Sequence, residues 1–152
     1  MATHVVIGDP HCTPKASNER FLWAGRLAAD VRATHIICMG DFCSMDSLSS
    51  YDKKKKSFEG RRYQKDMQHS HEALSLFNKG LGKYKARKIM LHGNHEDRID
   101  RFVDENPELD GTLKISDLNF KQYGWQEVPY KQNKVLNGIY YAHHFPSGIL
   151  GS

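Results

Sequence analysis

The sequence predicts one α/β domain with a mostly parallel sheet and flanking helices. Three apolar runs, at residues 4–9, 35–41 and 87–93, have the length of buried strands, and each stops at a glycine or a polar residue. The segments between them carry apolar residues at helical spacing. Strands that alternate with helices form βαβ units, and βαβ units build parallel sheets.

Two helices are predicted between these strands. Thr13 and Pro14 fit an N-cap and a first helical position. The second predicted helix spans residues 58–79 and has one apolar face, with Gly80 and Gly82 as its stop signals. The apolar residues of the first predicted helix are Phe21, Leu22, Ala24, Leu27, Ala28 and Val31.

Two further elements are predicted after the third strand. Residues 95–103 have the pattern of a short helix that ends near Asn106 and Pro107, since the residue before a proline disfavours helical geometry. Farther along, Asn137 and Gly138 separate two apolar runs. Asn-Gly suits a type I′ turn, so we expect a β-hairpin at residues 134–142.

The composition fits a single domain over residues 1–152. Hydrophobic residues make up 39% of the chain and charged residues 26%. No apolar run approaches the roughly 20 residues of a membrane-spanning helix, and the N-terminus lacks the basic and apolar parts of a signal peptide. We therefore expect a cytoplasmic protein without a membrane partner. Cys12, Cys38 and Cys43 lack the spacing of a zinc site, which predicts reduced thiols.

Polar side chains able to bind metal follow each predicted strand. The carboxyl ends of parallel strands meet at one edge of a sheet, where ligands bind. Carboxylates, imidazoles and an amide oxygen suit manganese, iron, zinc or a similar divalent ion. Adjacent strand residues face opposite ways, so only one of the last two histidines should reach the site, and we favour the first. The candidates are Asp9, His11, Asp41, Asn94, His95 and either His143 or His144.

Several of these residues form motifs that occur together in a known family. Asp9-x-His11, Gly40-Asp41 and Gly93-Asn94-His95-Glu96, followed by a strand that ends in His143, resemble the calcineurin-like metallophosphoesterases. The stretch from residue 47 to residue 63 looks like phage-encoded members. The resemblance implies a metallophosphoesterase-type sheet and, for a phage-encoded member, a location in the host cytoplasm.

The same resemblance implies how the candidate residues bind metal. Asp9 and His11 would hold one ion. Asp41 would bridge it to a second ion, which Asn94 and His143 also bind. Mn²⁺ is the expected metal, with Fe, Zn, Co or Ni as alternatives. Two such cations can activate a bridging water and neutralise the attacking and leaving oxygens of an in-line displacement.

His95 would be the acid of the reaction that the resemblance implies. A poor alkoxide leaving group needs a proton, and a histidine that titrates near neutral pH can supply it. The expected function is therefore metal-dependent hydrolysis of a phosphomonoester or a phosphodiester.

The sequence departs from the family pattern in two places. Ser44 stands where Gly-Asp-x-x-Asp has its second aspartate, and Asp46 is displaced. The Gly-His-x-His motif expected downstream of the His143 strand is absent from the 152 residues. We therefore expect a truncated domain, a second polypeptide that supplies the motif, or incomplete metal binding. The alternative function is that of a catalytically incomplete fragment that acts as a binding or complementation partner.

One segment accounts for the net charge of +4. Residues 51–65 contain seven basic residues against two acidic ones, and the rest of the chain is close to neutral. A basic segment near the site favours a nucleotide or a nucleic acid as substrate, although lysine runs are commonly solvated surface. The candidate substrate-binding residues are Lys53, Lys54, Lys55, Lys56, Arg61 and Arg62.

Overall fold

The computed structural model describes residues 1–144, and its main sheet has four parallel strands. They lie in the order β1-β2-β3-β4, so all four carboxyl ends meet along one edge. This arrangement confirms the predicted α/β class. The strands are β1 (His4–Ile7), β2 (His35–Cys38), β3 (Arg87–Leu91) and β4 (Trp125–Val128).

Two helices pack on one face of this sheet. They are α1 (Glu19–Asp30) and α2 (Tyr63–Leu81). Phe21 of α1 and Phe77 of α2 are buried in one apolar cluster with Ile36 of β2. The apolar face predicted for α2 therefore lies against the sheet, whereas the face predicted for α1 is only partly right, because Leu27 and Val31 are 55% and 43% exposed.

Close contact between the two helices explains why Gly80 does not stop α2. A Cβ atom at Gly80 would lie 2.1 Å from the carbonyl oxygen of Leu22, so only glycine allows the helices to approach this closely. The helix continues to Leu81. Gly82 then adopts a φ of +61°, a conformation that glycine reaches readily, and ends the helix.

A β-hairpin packs on the opposite face of the sheet. Its strands are β5 (Asn133–Leu136) and β6 (Ile139–Ala142), which pair antiparallel. Asn137 and Gly138 have φ values of +51° and +80°, which confirms the predicted turn. The buried residues of this layer are Ile37, Ile89, Leu91, Val128, Leu136 and Tyr141.

The first helix begins at Glu19, so the start predicted at Pro14 is wrong. After β1 the chain stays beside the loop that follows β2. The N–H of His11 donates to the carbonyl of Asp41 at 2.9 Å, and the N–H of Cys12 donates to that of Phe42 at 2.7 Å. This pairing occupies the backbone, and the helix forms only after a turn.

The other two helices also begin later than the sequence predicted. α2 follows a 3₁₀ turn (Lys56–Phe58) and Gly60, whose φ of +75° interrupts helical geometry. α3 (Arg98–Glu105) begins three residues after the predicted start and ends before Pro107, as expected. Among residues 1–144, no helix combines the length and the apolar character needed to cross a membrane. The three cysteines are free and buried.

Candidate active site

Asp41 lies at the centre of a polar cluster at the carboxyl edge of the sheet. Its side chain is only 4% exposed, and its Oδ1 accepts the backbone N–H of His95 at 2.9 Å. Its φ of +47° is left-handed. A non-glycine residue keeps such a conformation only where its surroundings hold it, and such residues concentrate at functional sites.

Two motif glycines allow the strand-end loops to meet around this aspartate. A Cβ atom at Gly93 would lie 2.1 Å from Oδ1 of Asp41, and one at Gly40 would lie 2.6 Å from Nδ1 of His143. Neither distance is compatible with a side chain. The glycines of the Gly40-Asp41 and Gly93-Asn94 motifs are therefore required by packing.

Three imidazoles converge on the second carboxylate oxygen of Asp41. The Nε2 atoms of His143, His11 and His95 lie 3.6, 3.8 and 4.0 Å from Oδ2. His11, Asp41 and His95 together offer ligand atoms close enough to share one metal ion. The sequence placed these residues on separate loops, and the structure brings them to one point.

His143 is held with Nε2 facing the cluster. Its Nδ1 donates to the carbonyl of Met39 at 2.7 Å, so in the neutral ring Nε2 carries a lone pair, 3.0 Å from Oδ1 of Asn94. His143 is buried, whereas His144 is exposed. The geometry favours His143 over His144 as the histidine that faces the site.

The donor atoms of the cluster fit a divalent cation. Nε2 of His143, Oδ1 of Asn94 and Oδ2 of Asp41 all present lone pairs to a common region. Lone pairs that face one another in a buried site need a proton or a cation between them. Asp9 adds a carboxylate at the margin, where its Oδ1 lies 3.9 Å from Nδ1 of His143 and its side chain is 45% exposed.

The His95 ring is fixed by contacts on both nitrogens. Nδ1 donates to the Ser44 carbonyl at 2.6 Å, and Nε2 lies 3.2 Å from a terminal nitrogen of Arg98. Burial lowers the pKa of His95, while the Ser44 carbonyl raises it. Ser44, the residue that departs from the family pattern, therefore orients His95 through its backbone.

Glu96 organises the site, a role that the sequence analysis did not assign. Its fully buried carboxylate accepts the backbone N–H groups of Gly93 at 2.7 Å, Asp41 at 3.0 Å and Cys43 at 3.1 Å. Burial raises the pKa of Glu96 to about 7, although the Cys43 and Gly93 N–H groups lower it. The only sequence signal was its place at the end of the Gly93-Asn94-His95-Glu96 motif.

Removing the Glu96 carboxylate should destabilise the fold. Glu96→Ala leaves three buried N–H groups without their acceptor, and each such group costs about 1–3 kcal/mol. We expect the free energy of unfolding to fall by at least about 3 kcal/mol, measured by urea denaturation. The exposed Glu108→Ala is the matched control and should change it by no more than about 0.5 kcal/mol. A loss below 1 kcal/mol for Glu96→Ala would contradict the role.

The basic residues of the 53–62 segment fall into two groups. The Arg61 side chain is only 10% exposed and binds the Asp52 carboxylate at 2.8 Å and the Asp46 carbonyl at 3.1 Å, so it holds the loop together. Lys53, Lys54, Lys55, Lys56 and Arg62 are all exposed, and Lys55 also lies 3.5 Å from the Asp52 carboxylate. The structure thus gives Arg61 internal partners and leaves the lysine run on the surface.

A parallel α/β sheet that gathers carboxylate, amide and imidazole groups at one edge is the arrangement of a metal-dependent α/β hydrolase. The family model for calcineurin-like phosphoesterases matches residues 3–149. The chain belongs to this family, whose members hydrolyse phosphoric esters with divalent metal ions. Comparisons with curated proteins and with solved structures give no match.

Proposed function

We propose that this chain hydrolyses a phosphomonoester or a phosphodiester with two divalent metal ions, Mn²⁺ being the expected metal. The observation that carries the proposal is the convergence of three imidazole nitrogens on one buried oxygen of Asp41, at 3.6 to 4.0 Å. Nitrogen and oxygen ligands together suit Mn²⁺ and also Fe, Zn, Co or Ni.

Each ion would have its own ligands and share one carboxylate. Asp9 and His11 would hold the first ion, Asn94 and His143 would hold the second, and Asp41 would lie between them. When bound, two cations supply an activated water and neutralise the oxygens of an in-line displacement. The chain contributes the fixed positions of these groups, because backbone hydrogen bonds hold Asp41 and His143 before any substrate arrives.

His95 would hold the proton that the leaving oxygen needs. The Ser44 carbonyl fixes the ring through Nδ1, so Nε2 is the atom that faces the site. In the reaction, a water would lose one proton to solvent as its oxygen bonds to phosphorus, the bond from phosphorus to the leaving oxygen would break, and the protonated His95 ring would pass the proton on Nε2 to that oxygen. Proton donation of this kind contributes roughly 10²–10⁴-fold to the rate.

Metal removal tests the proposed function. Excess chelator should abolish hydrolysis of p-nitrophenyl phosphate and bis(p-nitrophenyl) phosphate by the full chain, and Mn²⁺ should restore it. The relative rates on the two esters distinguish a monoesterase from a diesterase. Full turnover with metal verified absent would contradict the proposal. Bound metal without turnover of either ester would favour the alternative, a binding or complementation partner.

The exposed lysine run supports a polyanionic substrate, a nucleotide or a nucleic acid. Changing Lys53, Lys54, Lys55 and Lys56 to glutamine should weaken binding of single-stranded DNA and make it less dependent on salt. Each lost phosphate contact removes close to one unit from the slope of the log binding constant against the log salt concentration. Anisotropy of a labelled oligonucleotide across a salt series measures this effect.

A second four-lysine variant controls for the change in net charge. Lys79, Lys83, Lys85 and Lys121 are also exposed and lie on or beside the C-terminal end of α2 and the loops before β3 and β4. Their replacement by glutamine changes the net charge equally but should leave more of the salt slope intact. Equal slopes for the wild type and the 53–56 variant would overturn the nucleic-acid preference.

A further inference from the structure

A cavity of about 200 Å³ lies beside the candidate metal site. It is bounded by α3 on one side and by the segment that follows the 3₁₀ turn Asp46–Leu48 on the other. Its lining combines two arginines, two serines and an asparagine with one carboxylate, Glu105, and two aromatic rings, so the positive charges outnumber the negative one. The lining residues that can contact a bound nucleotide are Ser49, Ser50, Tyr51, Asn94, Arg98 and Arg101.

The cavity shares two residues with the site, and they place it on the side of the leaving group. Asn94 lines the cavity while its Oδ1 faces Nε2 of His143. Arg98 lines it while one terminal nitrogen lies 3.2 Å from Nε2 of His95. Because His95 Nε2 is the atom proposed to protonate the leaving oxygen, a leaving group in the site extends toward this cavity.

The two arginines retain N–H donors for an anion. Arg98 contacts the Ser44 carbonyl and the His95 ring, and neither partner is an anion. Arg101 pairs with Asp97 through Nε and donates one terminal nitrogen to the Asn94 carbonyl. A guanidinium has five N–H donors in a planar fork that matches phosphate oxygens, so each arginine has donors left over.

We propose that this cavity binds a second phosphate, carried by the leaving group of the substrate. The inference rests on the proposed function and narrows it to substrates with two phosphates on one nucleoside, as in a nucleic-acid strand or a nucleoside bisphosphate. The Tyr51 ring at the rim is 84% exposed, with Nζ of Lys55 4.0 Å from its centroid on one face, and an aromatic ring of this kind is a surface on which nucleobases stack. A nucleic-acid strand is therefore the favoured source of the second phosphate.

Matched thymidine substrates test the proposal. The dinucleotide d(TpT) has one phosphate, and its 5′- and 3′-phosphorylated forms have two. Whichever ester bond breaks, one of the two forms carries its second phosphate on the leaving nucleoside. We expect kcat/KM for that form to exceed the value for d(TpT) by roughly tenfold, as for one charge-assisted hydrogen bond. For a strict monoesterase, thymidine 3′,5′-bisphosphate and thymidine 5′-monophosphate replace these substrates.

The preference is the ratio of kcat/KM for the phosphorylated dinucleotide to kcat/KM for d(TpT). Arg101→Gln should lower this ratio toward one, and Arg101→Lys should restore part of it. Arg26→Gln is the matched control, since Arg26 is exposed on α1 and lies outside the cavity lining, and it should keep the preference. A higher kcat/KM for phosphorylated d(TpT) than for thymidine 3′,5′-bisphosphate would identify a nucleic-acid strand as the source of the second phosphate. The reverse order would identify a free nucleotide.

Failure of the cavity proposal is distinguishable from failure of the proposed function. Turnover of d(TpT) with no gain from either added phosphate, or a gain that Arg101→Gln leaves intact, overturns the cavity proposal and keeps the hydrolase. If no substrate turns over, binding decides: calorimetry with thymidine 3′,5′-bisphosphate should show roughly tenfold weaker binding in Arg101→Gln. Equal affinity in the variant and the wild type would overturn the cavity proposal in that case.

Discussion

Replacing Asp41 by asparagine is expected to lower kcat/KM on an aryl phosphate by more than about 100-fold, the upper figure for changes to partners outside the immediate ligands of a metal. Asp41 is the residue on which the imidazoles of His11, His95 and His143 converge. Asparagine keeps the shape but removes the negative charge that would hold two cations together. Steady-state kinetics at saturating Mn²⁺ measure the loss.

A carboxylate elsewhere serves as the control for this substitution. Asp30 is exposed at the end of α1, and Asp30→Asn should retain wild-type kinetics. Thermal unfolding of both variants separates a loss of metal from a loss of fold. An Asp41→Asn variant that stays folded and retains kcat/KM within tenfold would contradict the bridging assignment.

Replacing His95 by alanine should separate metal binding from chemistry. Without its proton, turnover of an alkyl phosphate with a poor leaving group should fall roughly 10²–10⁴-fold. The loss should shrink on p-nitrophenyl phosphate, because p-nitrophenolate leaves with little protonation. Parallel kinetics on the two esters measure the difference.

The metal content of the same variant distinguishes the two roles that the geometry allows for His95. Its Nε2 groups with His11 and Asp41 as a possible ligand; because Nδ1 is bonded to the Ser44 carbonyl, the same Nε2 atom would donate a proton only from the doubly protonated ring. A donor can be removed without loss of metal. An equal loss on both esters, together with one ion fewer per chain, would make His95 a ligand and remove the acid role.

The strand ends were predictable from the sequence because their signal is local. A buried parallel strand is a short apolar run, and the polar residue that stops it marks the edge where ligands gather. This holds for Asp41 after β2 and for Asn94 after β3. β4 was not predicted. Two of its four residues are polar, the exposed Gln126 and the half-buried Glu127, so it does not form an apolar run.

The remaining features depend on contacts between distant parts of the chain. The late start of α1 follows from backbone pairing of Cys12 with the loop after β2. The Glu96 carboxylate accepts hydrogen bonds from the N–H groups of Asp41 and Cys43, which lie more than 50 residues earlier in the sequence. The cavity between α3 and the 48–51 segment likewise exists only once both elements pack. Sequence periodicity does not encode such distances.

The number of Mn²⁺ ions that the full chain binds shows whether the strand-end cluster holds two cations. Isothermal titration of the metal-free protein, checked by elemental analysis, should give two ions per chain for the wild type and fewer than two for Asp41→Asn. No bound ion at millimolar Mn²⁺, or two ions bound equally well by the Asp41→Asn variant, would contradict a two-cation site bridged by Asp41.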